Sequence, residues 1–390
     1  MQKETANPGK PIKCNLCNYT GHSLLEHLPS IHNISTEDYL KQYVGAPTIS
    51  RAFYDRLILL KKERPQIKQP KAIFQIGRIP FEVHTEVPPE VCLPLPEHYR
   101  FPQFGKLKKD IQHAAVSLSS GRSIYISGIS GSGKDAFIHA LSFYTRRPSI
   151  AFQIQPGADI SHWLFARAFN NEGTYWEEGK LLQCLRDGYT TSSGKRVPYL
   201  VLISDLDRAD KSQVESLRLI LDSIQKRVKG PGGVTYPVLE GTQIVSTANT
   251  TGGGDNRGHY ISANPLDSSI ISRFEAGFEF HWLNWKDEEV IIKSKFPHLA
   301  EKKPECFSTM KTIVETLRTA IQKEELFCDF SHRDLCSWLQ HAEDLLLKLP
   351  AVPKLLLKKS QRAWTDRLPD PETKLEALRI IDALIDGGSI

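Results

Sequence analysis

The stretch that decides the fold is Gly128-Ile-Ser-Gly-Ser-Gly-Lys-Asp135, which has the form G-x-x-x-x-G-K plus one further residue. A turn of this form presents backbone N–H groups to phosphate oxygens, and its lysine reaches the β- and γ-phosphates of a nucleotide. The last position is normally Ser or Thr, whose hydroxyl binds Mg²⁺, but here it is Asp135. We expect the nucleotide-binding residues of this loop to be Gly128, Ser130, Gly131, Ser132, Gly133, Lys134 and Asp135.

The sequence on either side of the loop supports this prediction. Residues 123–127 form a short apolar, β-branched run that is typical of a buried strand, and residues 136–143 have apolar residues at helical spacing. A strand, a glycine turn and a helix N-terminus in this order aim backbone amides and the positive end of the helix at a polyphosphate. An ordinary Gly/Ser turn is the alternative, and the lysine disfavours it.

Composition sets the limits for the rest of the chain. The chain has 390 residues, enough for two or three domains, with 40% hydrophobic and 24% charged residues. No apolar run is long enough to span a bilayer, and the first residues contain no apolar signal core. The net charge of +5 permits contact with nucleic acid, and seven scattered cysteines suit a reducing compartment. We therefore expect a cytoplasmic protein with no membrane partner.

A candidate metal site lies near the N-terminus. The pair Cys14-Asn-Leu-Cys17 is followed after nine residues by His27 and after four more by His32. Two thiolates and two imidazoles at this spacing can close a tetrahedral zinc site. The four predicted zinc ligands are therefore Cys14, Cys17, His27 and His32, and a module this short depends on the metal in order to fold.

The sequence around these ligands resembles a known family. Residues 12–47, including the trailing Ser-Thr-Glu-Asp-Tyr at 35–39, are similar to the zinc finger of the Ros/MucR bacterial regulators, in which a capping Ser or Thr begins another helix. The resemblance implies DNA binding. The finger helix, however, contains almost no Arg or Lys for base or phosphate contacts. A finger that reads DNA and a finger that docks on protein both remain open.

Two further stretches place polar residues directly after buried-strand patterns. Residues 199–203 lead into Ser204-Asp-Leu-Asp-Arg-Ala-Asp, and residues 243–249 end in Asn249. P-loop enzymes use a second strand to deliver an acid to the Mg²⁺ shell and often another acid to orient the attacking water. Alternating strand and helix patterns between residues 120 and 285 predict an α/β sheet, and from residue 286 the pattern is helical.

These landmarks, followed by Ser272-Arg273-Phe274 and Phe330-Ser-His-Arg333, resemble in their order the AAA+ ATPases. The similarity is greatest to the branch that contains MoxR proteins and the CobS subunit of cobalt chelatase. Residues 177–188 and 246–260 are similar to segments of that branch, and the resemblance covers roughly residues 90–340. It implies a P-loop AAA+ core, in which a parallel sheet is flanked by helices, followed by a C-terminal helical lid.

The resemblance also implies roles for individual residues. Lys134 would bind phosphate, Asn249 would be sensor one, Arg333 would be sensor two, and Arg273 would act in trans on the nucleotide of a neighbouring subunit. A trans arginine implies a homo-oligomeric ring, and the resemblance implies a hexamer, which members of the family typically form. Relatives in this branch act on von Willebrand-type proteins, which implies a protein partner of that class. The catalytic candidates are Asp205, Asn249, Arg273 and Arg333, and the implied cofactors are ATP and Mg²⁺ beside the Zn²⁺ of the finger.

The expected domain organisation follows from these assignments. We expect a zinc-finger module at residues 1–47 and a proline-rich basic linker at 48–95. The AAA+ α/β core would occupy residues 96–285, and the helical lid and C-terminal helices would occupy 286–390.

The second acidic strand departs from the family pattern Asp-Glu-x-x-x-Ala. Aligned on Ala209, the chain has Ser204 in place of the Asp and Asp205 in place of the Glu. In the other register, Asp205 is the Mg²⁺ acid and Leu206 replaces the base. With the first register, the loop has a carboxylate, Asp135, where the family has a hydroxyl, and the strand has a hydroxyl, Ser204, where the family has a carboxylate. The shell of one metal ion would then keep both kinds of ligand with their sources exchanged. The alternative is that both changes weaken turnover.

Three functions fit these patterns. The first is an AAA+ motor or switch that couples ATP binding and hydrolysis to remodelling of a protein or nucleoprotein partner, with the finger selecting the target. The second is a DNA-binding AAA+ ATPase of a phage or mobile element. The third is a nucleotide-gated scaffold with little turnover.

Overall fold

A computed structural model describes residues 11–51, 53, 72–155, 160–170, 173–210, 214–222, 224–252, 264–348, 352–368 and 370–387. The chain divides into two compact units, Met1–Lys71 and Ala72–Ile390. Residues 253–260, which belong to the stretch 246–260 compared above with a segment of the MoxR/CobS branch, lie outside the described residues.

The first unit is a small ββαα module. Strands β1 (Ile12–Lys13) and β2 (Thr20–Gly21) pair antiparallel and are followed by helices α1 (His27–His32) and α2 (Thr36–Gln42). Ser35 caps α2 by accepting a hydrogen bond from the backbone N–H of Asp38, as the sequence predicts for this Ser-Thr-Glu-Asp stretch. Leu24, Leu28 and Tyr39 are buried in its small apolar core.

The second unit is built on a five-stranded parallel sheet. Its strands are β5 (Ile124–Gly128), β6 (Ser149–Gln153), β11 (Leu200–Ser204), β14 (Gln243–Thr247) and β15 (Ala276–Phe280). Their order across the sheet is β15-β5-β14-β11-β6, and every neighbouring pair is parallel. Every residue of β5, β11 and β14 is buried, which fits strands that are covered on both faces.

Helices cover the sheet and then form the C-terminal region. The described helices of this unit are α3 Gly105–Ser119, α4 Lys134–Thr145, α5 Ile160–Leu164, α6 Lys180–Asp187, α7 Arg218–Leu221, α8 Ser268–Ile271, α9 Trp285–Lys295, α10 Pro297–Lys302, α11 Glu305–Gln322, α12 His332–Lys348, α13 Pro353–Ser360, α14 Arg362–Thr365 and α15 Pro371–Asp386. The helices after β15 have their own apolar core, which includes Trp338, Phe307 and Ile381.

In the described part of the second unit, four two-stranded ribbons lie outside the main sheet. They are β3 (Ile73–Ile76) with β4 (Ile79–Glu82), β7 (Phe165–Asn170) with β8 (Gly173–Glu178), β9 (Tyr189–Thr190) with β10 (Arg196–Val197), and β12 (Arg227–Lys229) with β13 (Thr235–Pro237). The β3–β4 ribbon falls within residues 48–95, the expected linker. Ile76 and Leu93 from that region are buried with α3 and α4 in the core on one face of the sheet.

The architecture confirms the fold class predicted from the sequence. It is an α/β fold with a parallel sheet flanked by helices, and a helical region follows the last strand. Among the described helices, none combines the length and the apolar character that a membrane span requires.

Candidate nucleotide and metal sites

The predicted nucleotide residues converge at the carboxyl edge of the sheet. Strand β14 lies between β5 and β11, so the loops that follow these three strands meet at one edge. A cavity of about 520 Å³ opens there, between this edge and the start of α12. Its lining residues are Ser130, Gly131, Gly133, Lys134, Asp135, Ala136, Gln153, Asp205, Arg208, Thr247, Asn249, Lys295, His332, Arg333 and Cys336.

The loop after β5 begins at a glycine that the packing requires. A Cβ at Gly128 would lie 2.2 Å from the carbonyl oxygen of Phe280 on β15, so only glycine lets the two backbones approach this closely. The loop ends at Gly133, which caps the N-terminus of α4 with a φ of 84°. Gly128 and Ser132, also predicted to bind nucleotide, are buried and are absent from the cavity lining. The twelve residues of α4 therefore point their positive end into the cavity.

Lys134 is held at the base of the cavity by three acceptors. Its Nζ donates to the carbonyl oxygens of Gly128 (2.7 Å) and Ile129 (3.0 Å) and to Oδ1 of Asn249 (3.2 Å). Burial lowers the pKa of Lys134 to about 8, although nearby carboxylates favour its charged form. A phosphate group would complete the solvation of this buried ammonium.

Asp135 has a partner that the sequence did not indicate. Oγ1 of Thr247, the last residue of β14, donates a 2.6 Å hydrogen bond to Oδ1 of Asp135. The carboxylate at the start of α4 is thus paired with a hydroxyl from the neighbouring strand. A carboxylate and a hydroxyl are both oxygen ligands of the kind that Mg²⁺ accepts.

Ser204 and Asp205 take different positions at the end of β11. Leu200 and Leu202 pack with the α4 side of the core, so Ser204 faces that same side by strand alternation. Ser204 is nevertheless 6% exposed and is absent from the cavity lining. Asp205 lines the cavity with a φ of 57°, a left-handed backbone that is uncommon outside glycine. Its Oδ2 accepts a 3.2 Å hydrogen bond from Nε2 of Gln153.

Asn249 is positioned by a buried carboxylate. Asp207 is fully buried, and its Oδ2 accepts hydrogen bonds from the backbone N–H groups of Asn249 (2.9 Å) and Thr250 (3.0 Å). Burial raises the pKa of Asp207, while these hydrogen bonds favour its ionised form. Asp207 thus links the loop after β11 to the loop after β14, which fixes the side chain of Asn249 beside Lys134.

The two arginine candidates lie in different surroundings. Arg333 lines the cavity from the first turn of α12. That helix begins where it does because Ser331 and Asp334 cap each other: Asp334 N–H donates to Ser331 Oγ at 3.3 Å, and Ser331 N–H donates to Asp334 Oδ2 at 3.0 Å. Arg273 lies outside the cavity lining, and its NH1 pairs with Oδ2 of Asp222 at 2.6 Å.

The charges around the cavity suit a polyphosphate with a divalent cation. Two carboxylates, Asp135 and Asp205, face the basic residues Lys134, Arg208, Lys295, His332 and Arg333. Nε of Arg208 lies 3.8 Å from Oδ2 of Asp205, at the long end of the range for an ion pair. The residues present therefore fit Mg²⁺ and ATP.

In the first unit, the four predicted zinc ligands come together. Their ligating atoms all lie within 4.8 Å of one another. His32 Nε2 lies 3.2 Å from His27 Nε2 and 3.3 Å from Cys17 Sγ, and Cys14 Sγ lies 3.7 Å from His32 Nε2. A tetrahedral zinc ion sets nitrogens about 3.3 Å apart and sulfur and nitrogen about 3.6 Å apart, so this ligand set fits zinc.

Several cavity residues were not predicted from the sequence, namely Gln153, Arg208, Thr247, Lys295, His332 and Cys336. Two of them could have been found. Thr247 precedes Asn249 by two residues at the end of the same strand, and His332 directly precedes Arg333. Arg208 lies in the quoted stretch 204–210, although no role was assigned to it. Gln153, Lys295 and Cys336 carry no motif signal, because their positions depend on the sheet order and on helix packing.

Comparisons with known proteins found similarity to solved structures alone. No protein-family model and no curated protein matches the chain. Similar solved structures include a RuvB mutant from Thermotoga maritima, with a TM-score of 0.43 and 14% identity, covering 66% of this chain and 68% of that one. NtrX from Brucella abortus in complex with ADP has a TM-score of 0.44 and 13% identity, covering 75% of this chain and 61% of that one.

Proposed function

We propose that the chain is an AAA+ ATPase that couples ATP binding and hydrolysis to remodelling of a partner protein. The observation that carries the proposal is the convergence on one cavity of the loop lysine, carboxylates from two elements, the polar residue after β14 and an arginine from the helical region. Such a constellation is what phosphoryl transfer requires, because its catalysis is mostly positioning and charge stabilisation.

The proposed roles follow from the positions of the side chains. Lys134 binds the β- and γ-phosphates, and Asp135 is the acid of the metal site, oriented by Thr247. Asp205 orients the attacking water. Asn249 accepts a hydrogen bond from Lys134, which fixes the positions of these two side chains relative to each other. Bound Mg²⁺ would offset the negative charge of the phosphates. The products are ADP and phosphate.

We propose that the active form is a homo-oligomeric ring in which Arg273 reaches the nucleotide of the next subunit. Support comes from its place outside its own chain's cavity, where its partly buried guanidinium pairs with Asp222. The chain's own cavity already has Arg333, so a second arginine from a neighbour would complete the charge around the γ-phosphate.

We propose that the zinc finger selects a protein target. Helix α1, His-Leu-Pro-Ser-Ile-His, has no Lys or Arg, while Ile31 on it and Val44 after α2 are 66% and 89% exposed. Phosphate contacts need cations, and exposed apolar side chains suit a protein surface. Salt-dependent DNA binding that disappears in Cys14→Ser would instead favour the DNA-binding ATPase.

Phosphate release and assembly, measured together, test the proposed function. The wild type with Mg-ATP should form a ring in electron microscopy and release phosphate in steady state, and Lys134→Ala should lose the release. Lys354→Ala, an exposed lysine of the C-terminal helices, is the matched control and should behave like the wild type. ATP-dependent assembly with negligible phosphate release would support the nucleotide-gated scaffold instead.

A further inference from the structure

A buried ion cluster lies directly behind the cavity wall. The carboxylate of Glu288 on α9 is fully buried and accepts three short hydrogen bonds, from Arg318 NH1 (2.7 Å), Arg318 NH2 (2.9 Å) and His332 Nδ1 (2.8 Å). Arg318 on α11 also donates from Nε to the carbonyl oxygen of Phe330 (3.3 Å). One carboxylate thus ties α9 and α11 to the residue that opens α12.

His332 is the member of this cluster that reaches the cavity. It lines the wall beside Arg333, and its Nε2 lies 3.4 Å from Sγ of Cys336, one helical turn further along. The start of α12 also lies against the phosphate loop, because a Cβ at Gly131 would be 2.7 Å from Cβ of Ser331. His332 therefore stands where the glycine loop and the helical region meet.

We propose that Glu288 and Arg318 hold His332 as a protonated imidazolium against the bound nucleotide, so that the helical region contacts the phosphates through His332 as well as Arg333. His332 is the nucleotide-contacting residue in this scheme, and Glu288 is a positioning residue. The inference rests on the proposed nucleotide site.

Hydrogen bonds in the cluster explain why the proton stays on His332. Arg318 alone would balance Glu288, so a protonated His332 leaves one net positive charge that faces the cavity. Burial alone would lower the pKa of His332, but its hydrogen bonds with Cys336 and Glu288 raise it to about 9. Burial likewise opposes the ionisation of Glu288, yet His332 and Arg318 hold its pKa below the usual value.

Other charged groups face the same space. Arg333 and Cys336 lie on the same helix as His332, and Lys295 comes from α9. Across the cavity are Lys134, Asp135, Asp205 and Arg208. The cations among them oppose the proton on His332, and Asp135 and Asp205 favour it. Glu288 is the carboxylate in hydrogen-bond contact with the imidazole, so its removal should have the largest effect.

The test compares the affinity for Mg-ATP of three variants with that of the wild type between pH 6 and pH 8. In Glu288→Gln the imidazole loses its ion pair and should deprotonate within this pH range. The dissociation constant of the variant for Mg-ATP, divided by that of the wild type, should therefore grow about tenfold as the pH rises. His332→Asn keeps a donor but no charge, and should bind ATP more weakly than the wild type at every pH. Glu343→Gln, which removes a buried carboxylate that accepts from the backbone of α10, is the control and should match the wild type.

Two outcomes separate failure of this inference from failure of the nucleotide site. If the wild type binds ATP and Lys134→Ala does not, but His332→Asn binds like the wild type, the role of His332 is wrong and the site stands. If neither the wild type nor Lys134→Ala binds ATP, the nucleotide site itself is wrong.

A measurement on the wild type covers the case in which Glu288→Gln fails to fold. Nuclear magnetic resonance of labelled histidine should show His332 still protonated at pH 8 and should show its resonance shift on addition of Mg-ATP. A His332 that deprotonates near pH 6.5, or a resonance that ATP leaves unchanged at saturation, overturns the inference.

Discussion

Asp135 occupies the position where a phosphate loop normally has a hydroxyl residue, and its environment makes that exchange intelligible. Its carboxylate accepts a hydrogen bond from Thr247, and Ser204 faces the same side of the sheet from the strand beyond. Asp135, Thr247 and Ser204 therefore form a row of one carboxylate and two hydroxyls on this side of the sheet. If a metal ion binds at this edge, Asp135 supplies the carboxylate that the second strand lacks.

Exchanging the two side chains tests this arrangement. Asp135→Thr should lower Mg²⁺-dependent hydrolysis by about tenfold or more, because it removes the carboxylate of the row. Ser204→Asp in the same chain should restore the rate by returning a carboxylate to the second strand. Steady-state phosphate release would be measured for the wild type, both single variants and the double variant. If Asp135→Thr raises the rate or leaves it unchanged, Asp135 and Ser204 do not compensate for each other, and both residues merely weaken turnover.

The ion cluster around His332 gives a pH dependence of stability. Below its ordinary pKa of about 6.5, His332 is charged in both the folded and the unfolded chain, and the contribution to stability is fully present. It is lost as the pH rises towards 9, the value in the folded protein. The loss amounts to at most about 3 kcal/mol in the free energy of unfolding. Chemical denaturation at pH 6 to 9 should show this decrease in the wild type, and an equal decrease in His332→Asn would contradict it.

Residues differ in how far the sequence reveals them. Lys134, Asn249 and Arg333 belong to local patterns, and the structure brings all three to one cavity. Thr247 and Glu288 act through partners more than forty residues away, at Asp135 and His332. Such pairs depend on which strands and helices are neighbours, and a single sequence carries no signal for that.

At the scale of secondary-structure elements, the order of the sheet explains why the candidate site exists at all. Strand β14 pairs with β5 on one side and β11 on the other, which places three polar loops at one edge. The strand patterns in the sequence predicted parallel α/β structure, and that was confirmed. The four ribbons are short or partly exposed, so their apolar patterns are too weak to define them.

The N-terminal module with the four candidate zinc ligands is the element whose folding we expect to depend most on a ligand. Its core is small, with Leu24, Leu28 and Tyr39 as its large buried side chains, so the four metal ligands should supply much of its stability. A chelator, or Cys14→Ser, should therefore remove the dispersed amide resonances of residues 11–51. Nucleotide binding by the second unit should persist under the same treatment. Retention of the dispersed resonances after complete metal removal would contradict the zinc assignment.

At the scale of the whole molecule, a trans role for Arg273 predicts how a mixture of two inactive variants, Arg273→Ala and Lys134→Ala, should behave. Arg273→Ala should bind ATP but hydrolyse it slowly, and Lys134→Ala should bind ATP at least about tenfold more weakly than the wild type. In a mixed ring, some intact sites would combine a nucleotide on an Arg273→Ala subunit with the arginine of a Lys134→Ala neighbour. Mixing the two inactive proteins should therefore recover part of the activity. A mixture no more active than its components would place Arg273 in a structural role, paired with Asp222.

The central claim is that the cavity at the carboxyl edge of the sheet binds Mg-ATP through Lys134. Calorimetric titration of the full-length protein with ATP, in the presence and absence of Mg²⁺, tests it most directly. The wild type should bind one ATP per chain with Mg²⁺-dependent affinity. The affinity of Lys134→Ala for ATP should be at least about tenfold lower, because a buried phosphate contact is gone. Equal ATP affinity in the wild type and in Lys134→Ala, at the same stoichiometry, would contradict the claim.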